Sequence, residues 1–173
     1  MTTSKILLQL IKEAFLPALI IIAAKLSGVV LSLYYFQIEW QPQTKYLIPQ
    51  LTLYSTQDFI RVSSWSNFGV ILSLWLGLGW ILVKAHLLHE THITPKLTLS
   101  LINLRLKSLI SNTFDLSHQA LVWLAYLWLL LLFFAVEVYF GIFYWQLYLI
   151  SLGGGIILSW FFIVDLEREI KLQ

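Results

Sequence analysis

Four long apolar runs constrain this chain more than any other feature. A bilayer core about 30 Å thick is crossed by roughly 20 apolar residues in a helix. Runs of that length cover residues 14–36, 66–83, 120–139 and 144–164. The second reads SNFGVILSLWLGLGWILV, and Pro17 and Lys25 interrupt the first. Only 12% of the residues are charged, against about 25% in a soluble domain. Such a chain cannot cover a water-facing surface with polar groups. The expected fold is therefore an all-α membrane protein, a four-transmembrane-helix bundle forming one polytopic domain over residues 1–173. Apolar sequence resumes after Lys25 and continues to Phe36, which marks a retained span rather than a cleaved signal peptide.

Basic residues give the expected direction. Lys5, Lys12, Lys84, Lys96, Arg105, Lys107, Arg168 and Lys171 fall on one side of the four spans, while Lys45 and Arg61 fall on the other. The positive-inside rule then puts both termini and the 84–119 loop in the cytoplasm, in a plasma or inner membrane, with the 37–65 loop outside. Tyr34, Tyr35, Phe36 and Trp40, with Tyr139, Phe140, Phe143, Tyr144 and Trp145, crowd the expected outer edge. Interfacial aromatic belts have this composition.

Two segments outside the spans carry helix signals. Ser55-Thr56-Gln57-Asp58 has capping-box spacing, with Asp in place of Glu or Gln, and predicts a helix running into the second span. Thr94-Pro95 predicts another start. Beyond it a polar stripe of Lys96, Ser100, Asn103, Lys107 and Ser111 opposes Leu99, Ile102, Leu106, Leu109 and Ile110. That pattern predicts an amphipathic helix in the cytoplasmic interface between spans two and three.

Helices in lipid associate through close packing and polar contacts, because lipid tails are as apolar as leucine. Small residues recur every fourth position in three spans: Ala24, Gly28 and Ser32; Gly69, Ser73 and Gly77; Ser151, Gly155 and Ser159. These ladders predict helix-packing faces on spans one, two and four, used within the chain or toward another subunit. The third span is bulky throughout, and is expected on the outside of the bundle. Gly153-Gly154-Gly155 permits a bend or a very close contact.

Ionisable groups in a membrane are expensive, so they pair or mark function. Lys25 lies about mid-way along the first span and Glu137 near the outer end of the third. The two spans run parallel, so a Lys25–Glu137 pair is geometrically allowed. The nearby polar residues considered as a lining are Ser27, Ser32, Ser73 and Gln146. At the expected cytoplasmic exit of span two, KAHLLHETHITP places His86, His89 and Glu90 within one helical face, with His118 as a fourth candidate metal ligand. The spacing is not HExxH. The chain has no cysteine, which excludes thiolate sites and cysteine nucleophiles.

No Ser-His-Asp arrangement and no phosphate-binding glycine loop is present. The expected function is therefore that of a non-catalytic packing or accessory subunit of a membrane complex or homo-oligomer. No cofactor is called for. The expected partners are the lipid bilayer and other membrane subunits or the chain itself, not nucleic acid. Two alternatives are a small transporter or channel component using Lys25 and Glu137, and a membrane protein with a histidine metal site on the cytoplasmic face.

Overall fold

A computed structural model of the chain describes residues 3–45, 48–53, 55–87 and 113–172. They form helix α1 (Thr3–Tyr35), strands β1 (Trp40–Lys45) and β2 (Ile48–Leu53), and helices α2 (Thr56–Leu87), α3 (Thr113–Tyr139) and α4 (Trp145–Leu172). Each of the four helices is long and apolar enough to cross a membrane. We call the end bearing the strands the hairpin end. The predicted interfacial helix around 96–111 lies outside the described residues.

Helix α1 runs unbroken through Pro17, although the residue interrupts the apolar run in the sequence. Proline removes one backbone hydrogen bond. In an apolar segment the remaining intrahelical bonds are strongly favoured, so the helix persists. Pro17 is fully buried. At the hairpin end Gln37 adopts a left-handed conformation with φ 52°. Its N–H donates to the Tyr34 carbonyl at 3.3 Å, and the Ile38 N–H donates to the Leu33 carbonyl at 3.0 Å. This is a Schellman closure, and the Ile38 and Leu33 side chains complete it by sharing one buried cluster with Val62.

The connection from α1 to α2 is a two-stranded antiparallel ribbon with Trp40 opposite Leu53 and Lys45 opposite Ile48. Pro42 and Pro49 are tolerated because both strands are edges. A lone ribbon is marginal by itself. Here Leu53 packs against the Leu33–Ile38–Val62 cluster. The predicted start of α2 is observed: the Gln57 N–H donates to Ser55 Oγ at 3.2 Å. The second membrane helix thus begins about ten residues before the apolar run that revealed it.

The main core lies between α2 and α3, and this reverses the expected place of the third span. Leu116, Ala120, Trp123, Leu127, Leu131 and Phe134 are all buried, at intervals of three or four residues. They face Ile71, Leu74, Leu78 and Ile81 of α2 in one cluster. Bulk is what suits α3 to the interior. Its rings and leucines fill notches that the glycines of α2 and α4 leave open. A Cβ on Gly77 of α2 would fall inside the Trp123 ring and one on Gly155 of α4 would lie 2.9 Å from Leu131, while Trp75 of α2 occupies the same place at Gly154 of α4. Neither indole N–H finds a hydrogen-bond partner among the described residues, so the two rings are seated by shape. Helices α1 and α4 are peripheral. On α1, Phe15, Leu19, Ile22, Leu26 and Val30 form an exposed apolar stripe.

Gly141 turns α3 into α4. Its φ of 71° suits glycine. The Gly141 N–H donates to the Val138 carbonyl at 3.0 Å and the Ile142 N–H to the Glu137 carbonyl at 2.8 Å, a second Schellman closure. Helix α2 holds this turn from the side. Ser64 Oγ accepts the Tyr144 N–H at 3.1 Å and donates to the Ile142 carbonyl at 3.5 Å. Eight residues of α2, from Thr56 to Ser63, therefore rise beyond the α3–α4 turn. At 1.5 Å per residue that is about 12 Å.

Candidate functional site

The charged residues of α1 and α3 meet through α2. Lys25 Nζ donates to Ser66 Oγ at 2.8 Å and to Asn67 Oδ1 at 2.5 Å. The other end of the same amide, Asn67 Nδ2, donates to Glu137 Oε2 at 2.5 Å. The two charges are thus joined across one amide group. Ser66 and Asn67 are buried, while Lys25 and Glu137 are partly buried.

Local sequence explains this meeting. Gly28 of α1 lies so close to α2 that a Cβ on it would sit 2.9 Å from the Ser66 Cα. That approach brings Lys25, one turn earlier, within reach of Ser66 and Asn67. The Ser66 hydroxyl donates its own hydrogen to the Ser63 carbonyl at 3.0 Å, which leaves its lone pairs for the ammonium. Glu137 lies in the last turn of α3, at the negative end of the helix dipole, where a carboxylate is disfavoured. The Asn67 amide donor of α2 and the nearby positive charge of Lys25 on α1 offset that cost.

The height of the cluster also follows. Ser64, which touches the α3–α4 turn, is only two and three residues from Ser66 and Asn67. The cluster lies within about one helical turn, roughly 5 Å, of the hairpin-end surface of α3 and α4. The Lys25 ammonium is therefore carried away from mid-span, and its partners are a hydroxyl and an amide of α2.

The small-residue ladders are used mainly inside the chain. On α1, Ala24 is partly buried, Gly28 meets Ser66, and Ser32 is buried with its hydroxyl donating to the Gly28 carbonyl at 2.7 Å. On α2, Gly77 seats Trp123, Ser73 bonds back to the Gly69 carbonyl at 2.9 Å, and nothing among the described residues lies within 4 Å of a Cβ on Gly69. On α4, Ser151 is buried, a Cβ on Gly155 would lie 2.9 Å from Leu131, and Ser159 accepts the Trp128 indole N–H at 3.0 Å.

The histidine candidates are not brought together among the described residues. His86 lies in the last turn of α2, and His89 and Glu90 lie outside the described residues. His118 Nε2 is 3.5 Å from Glu13 Oε2, so it joins α3 to α1. Among the described residues no group of three or more His, Cys, Asp or Glu could hold a metal.

Sequence reasoning missed Asn67, Ser66 and Ser64. Ser66 and Asn67 open the apolar run that defined span two, and Ser64 lies just before it in the expected outer loop. The available signal was the capping pattern at Ser55–Asp58. A helix started there turns Ser64, Ser66 and Asn67 into helical positions facing the bundle. No family model, curated protein or solved structure matches this chain.

Proposed function

We propose that this chain is a non-catalytic packing or accessory subunit of a membrane complex or homo-oligomer, with both termini and the 84–119 segment on the cytoplasmic side. The observation that carries the reading is the use made of Lys25 and Glu137. Both are tied into hydrogen bonds that join α1, α2 and α3 through an amide. An asparagine amide has no proton to give up or take at ordinary pH. It links the two charges but does not pass protons between them. The hydrogen bonds these two groups make within the chain thus hold the bundle together. The first turns of α2 and the ribbon rise beyond the α3–α4 turn and offer a partner a surface outside the hydrocarbon. The excess of Lys and Arg on the opposite side supports the orientation.

Affinity purification from native membranes under mild detergent, followed by native mass spectrometry, tests the reading. The expected result is a defined stoichiometric assembly, either with other membrane subunits or of several copies. A chain that elutes only as a monomer in every mild detergent and in lipid nanodiscs would remove it.

A second reading, a small transporter or channel component, draws on the same cluster, because its two ionisable groups share one network across three helices. Its test is flux in liposomes. Loss of transport in Glu137→Gln with an intact bundle favours it, and equal flux removes it.

A further inference from the structure

The hydrogen bonds of the cluster are unequal to its charges. The Lys25 ammonium has three N–H donors, and Ser66 and Asn67 take two of them. The Glu137 carboxylate has about four lone-pair positions, and Asn67 is its side-chain donor. The carboxylate also sits at a helix C-terminus, where the dipole adds negative potential. Each charged group keeps bonding capacity for something of opposite sign.

The surroundings say where that something comes from. In its lower half α1 touches α3 directly, with Glu13 Oε2 3.5 Å from His118 Nε2, and Ile20 and Ile21 pack against the core shared by α2 and α3. Higher up, at Lys25, Asn67 of α2 bridges the space between α1 and α3. Lys25 and Glu137 flank it, only partly buried. Next to them Leu26, Val136 and Phe140 are exposed. The pair therefore borders the lipid-facing surface, within about one helical turn of the α3–α4 turn. Exposed Tyr139 and Trp145 flank that turn, and such residues favour headgroup depth.

We propose that Lys25, Asn67 and Glu137 form a binding site for the zwitterionic headgroup of a phospholipid in the leaflet at the hairpin end. The headgroup phosphate accepts from Lys25 and its cationic nitrogen pairs with the Glu137 carboxylate. The site is a positive and a negative group one amide apart, and a zwitterionic headgroup laid antiparallel matches both signs. An anionic headgroup without an amine gains the Lys25 contact but meets the Glu137 charge. The inference is independent of any protein partner, so a monomeric chain would leave it standing.

Native mass spectrometry of the full-length protein in detergent, titrated with lipids of matched acyl chains, tests it. Phosphatidylethanolamine and phosphatidylcholine are expected to bind about fivefold more tightly than phosphatidylglycerol, the scale of one partly exposed ion pair. Glu137→Gln should abolish that preference, and Lys25→Gln should weaken all three lipids. Glu137→Asp and Lys25→Arg, which keep the charges, should retain the order. Equal or tighter binding of phosphatidylglycerol by the parent protein would overturn the proposal, and needs no variant to fold. A preference that survives in Glu137→Gln would overturn it too. Soluble glycerophosphoethanolamine is the control for the source of the headgroup. Displacement at concentrations similar to the lipid would assign the site to a free zwitterion and overturn the lipid assignment.

Discussion

The two halves of α2 hold their neighbours by different means. Toward the hairpin end, Ser64, Ser66 and Asn67 are all buried and all hydrogen-bonded to another helix or turn. Toward the other end, Leu74, Leu78 and Ile81 are buried in an apolar cluster, and Gly77 receives the Trp123 ring. The polar half gains strength from the absence of competing water, and loses heavily if one partner is missing. The apolar half depends on shape, and is sensitive to added volume rather than lost bonds. Mutations should therefore hurt the two halves in opposite ways: truncation in one, enlargement in the other.

The sharpest way to break this contrast is Asn67→Ala. It removes two hydrogen bonds to charged groups at once. Such bonds contribute about 1.5–3 kcal/mol each, and the partial exposure of Lys25 and Glu137 lowers the sum. A loss of about 3 kcal/mol is expected in reversible unfolding by mixed detergent. Replacing all three groups together, as Lys25→Met, Asn67→Leu and Glu137→Met, should recover stability to within about 1 kcal/mol of the parent, because no charge is stranded. If the triple variant is as unstable as the single one, the cost does not arise from unpaired charge.

Gly77→Ala comes next. The added methyl must displace the Trp123 ring, at about 1–3 kcal/mol, read as a lower thermal midpoint and altered tryptophan emission. Ser64→Ala should cost about 1 kcal/mol, since it removes a cap that α2 supplies to α4. Hydrogen exchange at Tyr144 should rise in that variant while the α2–α3 core stays protected. The smallest effect is expected at Gly69→Ala. Nothing among the described residues lies within 4 Å of a Cβ there, and alanine favours the helix by up to about 1 kcal/mol. A midpoint equal to or above that of the parent is expected. A drop as large as that of Gly77→Ala would mean that the ladder acts as a unit, against the contrast drawn here.

The fold was legible where periodicity and length speak. Four apolar runs gave four helices, and the Ser55 cap signal placed the true start of α2. The interior position of α3 was not legible. Bulky residues such as Trp123, Leu127 and Leu131 are equally suited to lipid and to a core, and only the glycines opposite them decide. For the site, Lys25 and Glu137 stood out as ionisable residues in apolar runs, and their meeting was allowed by parallel direction. Asn67 did not stand out, since an uncharged amide at the margin of a span looks like an ordinary boundary residue. Its importance depends on Gly28 bringing α1 close enough to use it.

The amide at the centre of the cluster has a symmetry that neither charge has. Its oxygen and nitrogen ends are nearly equal in size, and a half-turn about the last side-chain bond exchanges acceptor for donor. A chain carrying Glu at position 25 and Lys at position 137 could therefore be served by the same Asn67, rotated. The Ser66 hydroxyl can likewise turn from acceptor to donor. The lysine would then stand at the C-terminal end of α3, where the helix dipole welcomes it. Single charge reversals leave like charges facing one bridge, but the double exchange keeps both bonds of the amide, with the Ser66 hydroxyl leaving the Ser63 carbonyl to donate to position 25. What the amide asks of its two neighbours is complementarity across Asn67.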